Sequence, residues 1–430
     1  MKILEIALIT TRFPVSGNLW LYNRITGLID SGHDIKIFAL TPPSDKFPLH
    51  EDIKKYDLVR LVEYHGRPIS KIETIKVIIK DAFKKPIAFL KTLIKSLNIN
   101  KFGTRSLSLS AYFLLRTYSK YKHFDIIYGV TGPTSTKAIF LKELFPSAKF
   151  VANFVGFDYS SRIRKQGTDI YIKIFQYADL IISHSYFSRD CIISLGCPSN
   201  KIIKHPVGVD LSKFVYKKRT IDKDETLHLI TVGRLIEKKA HRIILSALSD
   251  ILRKGKRVIY HIVGDGPLSQ EIHDHVNSDD LLKKHVLSHG YKTQMEVVEM
   301  LHRCHVFIQP SITTMRWAEQ EDTTTTLLEA QATGMPVIAT YHAGIPEVVI
   351  HNETGILTPE RNIHELEKAI EYFIDNPDKC ILMGEKGRKY IEDNFDVEKL
   401  NNKLEIIMEK LVNTKNGESI GITSTENIKF

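Results

Sequence analysis

Glu321-Asp322-Thr323-Thr324-Thr325-Thr326-Leu327-Leu328-Glu329-Ala330-Gln331-Ala332-Thr333-Gly334-Met335-Pro336-Val337-Ile338-Ala339-Thr340 reads as a helix, a Gly-x-Pro stop and a buried strand. Glycine just past the last helical residue, with proline shortly after, ends a helix. The apolar run that follows has the length of a strand. Two carboxylates, Glu321 and Glu329, stand eight residues apart across the helix start. Were all eight steps helical, the backbone gap would be about 12 Å at ~1.5 Å per residue. That is wide for the two carboxyls of a glycosidase, which lie roughly 5–9.5 Å apart. It suits two grips on one long ligand, with the free N–H groups of the helix start at Thr323–Thr326 offered to phosphate between them. A nucleotide-sugar is such a ligand.

Outward from this stretch the same alternation fills the chain. Short apolar runs at 3–9, 35–39, 126–128, 150–153 and 180–183, and again at 227–232, 258–263, 286–288, 306–309 and 337–339, have strand length and are separated by helical stretches. This is the pattern of parallel sheets covered on both faces, and each half reads as one doubly wound unit. A chain of 430 residues exceeds one comfortable core and is expected to split in two. The join falls near Pro206-Val207-Gly208-Val209-Asp210, ahead of a polar segment, 217–225, that carries no core pattern. An amphipathic helix is expected over 396–411, and 416–430 is polar and aperiodic.

Hydrophobic content of 43% and charged content of 26% are ordinary globular values. No run of 18 apolar residues marks a membrane span. The opening Met1–Ile9 is broken by Glu5 and lacks a small-residue cleavage site, so a first strand fits it better than a signal peptide. Cys191, Cys197, Cys304 and Cys380 have neither zinc spacing nor a paired framework, which points to reduced thiols and a cytoplasmic protein. Residues 1–205 hold 31 Lys and Arg against 16 Asp and Glu, so the chain's +10 arises in its first half, which is expected to meet something anionic. Much of that excess lies in 71–105, where Phe89, Leu90, Leu93, Ile94 and Leu97 form an apolar stripe with Lys91 and Lys95 off it. Two readings stand: a helix packed on its own domain with a solvated basic side, or contact with an anionic membrane surface. Aromatic residues do not interleave with these charges, which argues against nucleic acid.

After the strand 227–232 comes Gly233-Arg234-Leu235-Ile236-Glu237-Lys238-Lys239-Ala240. Cations opening a helix at the C-terminal end of a parallel strand lie where such sheets bind ligands. Arg234 can fork onto phosphate oxygens and Lys239 can add a point charge. Gly264-Asp265-Gly266-Pro267 also follows a strand, but the third glycine and distal acid of a dinucleotide fingerprint are missing, so it reads as a tight turn. His273, His275, His302 and His305 read as surface histidines.

Val232–Lys239, the Glu321/Glu329 pair and Gly344-Ile345-Pro346-Glu347-Val348-Val349 together resemble glycosyltransferase family 4, its exopolysaccharide-type members in particular. The likeness extends through Phe13-Pro14, Ile25–Ile29 with Gly32-His33, His184-Ser185 with Phe187–Arg189, Leu195–Pro198 and Pro206–Asp210. It implies a GT-B fold, two doubly wound Rossmann-like domains facing across a cleft. On this chain the expected parts are an acceptor domain at 1–207, a donor domain at 208–395, a helix crossing back at 396–414 and a flexible tail at 415–430. It further implies that Arg234 and Lys239 hold the donor diphosphate, with Asp322, Thr323, Thr324 and Thr325 at the helix start. Glu329 would bind the ribose hydroxyls, Glu321 would act beside the transferred sugar, and the region after Gly290-Tyr291 would line the base pocket. No metal is required, because cationic side chains and the helix N-terminus stabilise the departing diphosphate.

The chain departs from the family pattern at several points. Gly17-Asn18-Leu19 replaces Ser-Glu-Thr, Tyr128 and Val130 replace a His-x-His pair, and Val155 replaces the histidine that lines the donor-sugar pocket. Asp158 and Tyr128 are the nearest polar substitutes, and Ala240 stands where the family has glycine. The expected activity is transfer of a sugar from a nucleotide-sugar to a glycan or lipid-linked acceptor with retention, in polysaccharide biosynthesis. The enzyme would be cytoplasmic, with peripheral attachment at the inner face of the membrane as the further expectation. A nucleotide-sugar-binding partner that no longer turns over and a sugar-nucleotide epimerase of the same fold are the alternatives.

Overall fold

The computed structural model describes residues 2–15, 19–43, 50–64, 70–98, 109–219, 222 and 225–414. The strands are β1 (Glu5–Arg12), β2 (Asp34–Thr41), β3 (Val62–Tyr64), β4 (Ile126–Gly129), β5 (Lys149–Asn153), β6 (Leu180–Ser183), β7 (Ile202–Lys204), β8 (Leu227–Val232), β9 (Val258–Val263), β10 (Val286–Ser288), β11 (Val306–Gln309), β12 (Val337–Thr340) and β13 (Gly355–Thr358). One sheet has the order β3-β2-β1-β4-β5-β6-β7 and the other β10-β9-β8-β11-β12-β13. Both orders reverse beside their first central strand, the doubly wound arrangement. In the first sheet Ile6 pairs in parallel with Ile35 on one side and Ile126 on the other. In the second, β8 pairs in parallel with β9 along its whole length and with β11.

Every residue of β4, β5, β6, β11 and β12 is buried, as expected of strands covered on both faces. Three strands went unread in the sequence, β3, β7 and β13, and all three are sheet edges. β3 and β7 are three residues long and only partly buried, so no continuous apolar run marks them; β13 is largely buried, but Gly355-Ile356-Leu357-Thr358 is too short an apolar run to stand out.

Among the helices are α1 (Leu19–Asp30), α2 (Lys71–Lys84), α3 (Pro86–Ser96), α4 (Ser110–Tyr118), α5 (Tyr186–Ser194), α6 (His241–Arg253), α7 (Thr325–Ala332) and α8 (Val397–Asn413). Helix α6 lays Ile244, Leu245, Leu248, Ile251 and Leu252 into the core of the second sheet with Leu229, Tyr260 and Ile308. Full burial of each such side chain contributes about 1.5–3 kcal/mol.

Contacts gather the described chain into two units. The first runs to Asn153 and adds Tyr171–Ile181 and the chain from Glu405; the second holds Phe154–Ile170 and Ile182–Leu404. These limits differ from divisions at 207 and 395: the second unit takes Phe154–Ile170 and Ile182–Leu404. Within it, the segment around Gly208 is pinned to the start of α8, Val209 N–H to Phe395 O at 2.8 Å and Val397 N–H to Val209 O at 3.1 Å. Helix α8 buries Leu400, Leu404, Met408 and Leu411, the expected amphipathic stripe, and its residues before Glu405 belong to the second unit.

The polar segment after the join is partly described, and there the sequence misled. Arg219 is buried and donates to the carbonyls of Lys217, Leu301, Cys304 and Thr333 and to the Thr333 hydroxyl. A charge satisfied by carbonyls leaves no apolar pattern to read. The tail 415–430 lies outside the described residues.

Candidate active site

Strand β8 ends at Val232, and the Gly233 N–H reaches Val263 O at the same end of β9. The turn Gly264–Gly266 presses on this loop so closely that a Cβ on Gly264, at φ +136°, would lie 1.9 Å from Gly233 O. No L side chain fits there. Leu235 N–H bonds Asp265 O at 3.1 Å, and Leu268 N–H bonds Leu235 O at 3.1 Å. The tight turn expected from the sequence therefore holds the loop that carries Arg234. A 3-10 turn, Glu237–Lys239, and a left-handed step at Ala240 (φ +57°) then lead into α6. That path buries Lys239 and leaves Arg234 exposed.

The buried Lys239 ammonium lies 3.0 Å from Glu321 Oε1. Lys238 bridges Glu319 at 2.9 Å and approaches Glu321 Oε2 at 3.8 Å. Burial pushes the Glu321 carboxyl up, but Lys239 and Lys238 outweigh it and hold it below the usual carboxylate range. Burial draws the Lys239 ammonium below its usual value, with Glu321 opposing the fall. The Glu321 backbone is fixed too: its N–H donates to His342 Nε2 at 3.0 Å, and His342 Nδ1 lies 2.6 Å from Glu360 Oε1. Since Nε2 accepts, the ring proton sits on Nδ1 and points at Glu360. Glu360 in turn accepts the Thr313 N–H at 2.8 Å.

Asp322 turns the other way. Its Oδ1 accepts from the hydroxyl of Ser185, the N-cap of α5. Burial raises this carboxyl to about 6, against the pull of Ser185, Ser188 and Tyr159. Two glycines admit it: a Cβ on Gly344 would lie 2.8 Å from Asp322 Oδ1, and one on Gly156 would lie 3.0 Å from Gln320 O. The stretch Val155–Ser160 thus packs directly on Gln320–Asp322, with Gln320 N–H 3.4 Å from the Ser160 hydroxyl. Asp158 accepts the Val155 N–H at 3.0 Å as a local cap.

Helix α7 begins only at Thr325, with Thr324 as N-cap. The four steps from Glu321 to Thr325 are not helical, so the eight-step helical spacing does not apply. Thr326 reaches Gln309 Oε1 at 3.2 Å, whereas the buried hydroxyl oxygens of Thr323 and Thr324 find no partner among the described residues. Unpartnered donors at a helix start, where the first N–H groups are also free of intrahelical bonds, form an anion-accepting site. One turn deeper Glu329 is buried, which raises its carboxyl to about 7 while Lys239 pulls it back. Lys239 therefore acts on both glutamates.

Residues 213–390 match the family described as glycosyl transferases group 1. The amylovoran biosynthesis glycosyltransferase AmsK of Erwinia amylovora is 28% identical over 95% of this chain and 100% of its own length. The family match covers the second half of the chain, from before β8 to beyond β13. Among solved structures, Anabaena HepE in complex with UDP and glucose superposes with a TM-score of 0.69 at 16% identity, covering 94% of this chain and 99% of its own. The sucrose-phosphate synthase of Thermosynechococcus elongatus gives 0.69 at 16% identity over 94% and 98%. The fold is GT-B, with a Rossmann-like architecture in each sheet.

Within the matched stretch, Lys239, Glu321, Thr323, Thr324 and Glu329 gather where β8 and α7 meet their loops. Asp322 is instead taken up by Ser185, which gives the His184-Ser185 and Phe187-Ser188 matches a physical role: they seat the residue beside Glu321. Thr325 opens α7. Tyr128 is buried in the first unit, where Arg24 Nη1 donates to its hydroxyl and Asn153 Oδ1 lies 3.4 Å away. Val130 is buried with them. Residues 16–18 lie outside the described residues.

Sequence reasoning missed His342, Glu360 and Lys238. His342 stands just past the C-terminal end of β12, the end at which such sheets gather their ligand sites, and that position was the available signal. His305 was misjudged as a surface residue. It is buried, its Nδ1 accepts the His228 N–H at 3.1 Å, and the rings of His228, His261 and His289 follow in a ladder at 2.9 and 3.0 Å. Burial lowers His261 and His305 to about 4. Histidines on β8 and β9, just past β10 and just before β11 have no sequence signature.

Proposed function

We propose that this glycosyltransferase takes a hexose from a nucleotide-sugar and passes it, with retention, to a glycan or lipid-linked acceptor in exopolysaccharide biosynthesis. The observation that carries this is the Glu321 carboxylate, held 3.0 Å from the buried Lys239 ammonium beside a helix start whose Thr323 and Thr324 hydroxyls have no partner among the described residues. A carboxylate, an ammonium and free hydrogen-bond donors in one place serve a ligand that joins a sugar to phosphate. The full-length match to the amylovoran enzyme and the UDP and glucose bound by HepE support the same reading.

In this scheme the bond between the sugar's C1 and the donor phosphate oxygen breaks as the acceptor hydroxyl oxygen bonds to C1 on the same face. The acceptor proton passes to the departing phosphate. Arg234, exposed and not ion-paired with any carboxylate among the described residues, closes on the diphosphate. Lys239 has three N–H donors and can hold phosphate while keeping Glu321. Glu321 stabilises the positive charge that develops at C1. Glu329 takes the ribose hydroxyls. Charge neutralisation falls to Arg234, Lys239 and the α7 start, so a chelator is expected to leave turnover unchanged. A lipid-linked acceptor sits at a membrane surface, which fits a cytoplasmic enzyme held at the inner face.

The test is a screen of nucleotide-sugars by rise in melting temperature, followed by release of nucleoside diphosphate from the best binder with membrane-derived acceptor lipid. Glu321→Gln is expected to lower the rate roughly a hundredfold with little change in donor affinity. Product anomers read by NMR decide retention. Tight donor binding with no release in any acceptor mixture would instead make the chain a non-catalytic binding partner.

A further inference from the structure

Two consecutive helices of the first unit leave apolar faces uncovered. On α2 these are Ile72, Ile75, Ile79 and Phe83, and on α3 with its C-cap Ile87, Leu90, Ile94 and Leu97; each is at least 50% exposed and Phe83 reaches 85%. Steps of three and four residues put each set on one helical stripe. A lysine follows the apolar residue in five doublets: Ile75-Lys76, Ile79-Lys80, Phe83-Lys84, Leu90-Lys91 and Ile94-Lys95. One residue is about 100° of helical turn, so on both helices the lysines line the same flank of the apolar stripe.

The inward side of the pair is fixed by specific contacts. Asp81 of α2 accepts the Tyr112 hydroxyl of α4 at 2.9 Å and pairs with Arg116. Phe89 of α3 meets the Tyr112 ring edge-on at 5.7 Å, and Thr74 and Ser96 are buried. These anchors set the rotation of both helices, and the apolar stripes are what they leave outside. The expected stripe is therefore divided: Phe89 serves the domain, while Leu90, Ile94 and Leu97 face solvent. Residues 99–105 of the basic region lie outside the described residues.

We infer that α2 and α3 lie in the interface of an anionic bilayer, apolar stripes among the acyl chains and lysine flanks at the headgroups. The charge pattern selects this occupant. From Lys71 to Asn98 there are seven lysines and two acidic residues, an excess that anionic headgroups neutralise. A second copy of the face would bring lysine flank against lysine flank. Phe83 and Ile87, the two most exposed of the eight, bracket the Lys85-Pro86 break between the helices and enter deepest. No helix among the described residues is long and apolar enough to cross a membrane, so this contact stays at the surface. The inference goes beyond the transfer reaction and does not depend on which donor or acceptor is used.

The test is sedimentation of the full chain with phosphatidylcholine vesicles with and without phosphatidylglycerol. Wild type is expected to bind only the anionic vesicles, more weakly as salt rises. Ile79→Ser/Phe83→Ser/Ile87→Ser should weaken binding about tenfold or more. Lys80→Gln/Lys84→Gln/Lys91→Gln/Lys95→Gln should weaken it similarly and flatten its salt dependence. All seven sites are exposed, and a thermal melt checks that each variant folds. Wild type that ignores anionic vesicles at low salt overturns the inference, as does a serine variant that binds undiminished. A concentration-dependent dimer abolished by the serine substitutions would assign the face to a second copy and overturn it too. Donor release measured without vesicles keeps this outcome separate from that of the proposed reaction.

Discussion

Lys239, which is buried, and Glu321, which is largely so, form an ion pair at 3.0 Å although 82 residues separate them in the chain, and the same lysine acts on Glu329. The pair's cost is the desolvation of two charges, a cost that buried pairs seldom recover as stability. In the proposed reaction, the diphosphate and the electron-poor sugar carbon would each meet a charge held in position by the fold.

Arg234 and Lys239 are expected to part company on substitution. Arg234→Ala should weaken nucleoside-diphosphate binding roughly tenfold, since a charge-assisted bond contributes about 1.5–3 kcal/mol, and should leave the melting temperature unchanged because the side chain is exposed. Lys239→Ala should weaken binding similarly and also destabilise the fold by about 3 kcal/mol, because Glu321 loses its nearest partner. Calorimetric titration and thermal melts separate the two; unchanged affinity in both variants removes the donor-site assignment.

Glu329 gives the fold a pH dependence with a definite sign. Its folded value of about 7 lies above the ordinary 4.5. Below pH 4.5 both folded and unfolded states hold the proton and the fold has its full stability. Between 4.5 and 7 only the unfolded state releases it, so this contribution is lost as pH rises. Glu329→Gln has no such proton and should gain on wild type by about 3 kcal/mol from pH 4 to pH 8. Denaturant unfolding at both pH values measures the difference. If ribose hydroxyls bond the ionised form, donor affinity should rise through pH 7 in wild type and stay flat in the variant.

Ala240 occupies a left-handed backbone position at φ +57°. Such a step costs an L residue about 1–2 kcal/mol, partly offset by the greater chain entropy that glycine loses on folding. Ala240→Gly should therefore stabilise the protein by about 0.5–1 kcal/mol, read as a higher denaturation midpoint with an unchanged slope. A lower midpoint would show that the Ala240 methyl, which is buried, outweighs the strain.

Tyr128 works with Arg24 and Asn153 in the first unit, all three buried. Tyr128→Phe should cost about 1–3 kcal/mol by removing a partner from a buried guanidinium. Nucleoside-diphosphate affinity should not change. A turnover loss larger than the stability loss explains would support Tyr128 as a polar substitute for the histidine that Val155 replaces.

The amino-acid sequence determined the architecture because strand and helix periodicity are local. Ten of the strands could be read from short apolar runs, and the helix carrying Leu327 and Leu328 from its Gly334-x-Pro336 stop. Arg234 and Lys239 were legible as candidates because doubly wound sheets collect ligand residues at strand ends, and Glu321 and Glu329 because they stand eight residues apart across a helix start, their roles being what the family resemblance implies. Only the tertiary structure decided what these residues do to one another. It placed Lys239 on Glu321, gave Asp322 to Ser185, brought in His342 and Glu360, and turned the apolar stripes of α2 and α3 outward. Those relations join residues from 18 to 137 positions apart, and a pattern of short period carries nothing about which distant side chains will share a low-dielectric space. The same holds for Arg219 and for the histidine ladder, where burial of polar groups was paid for by partners that the chain brings together only on folding.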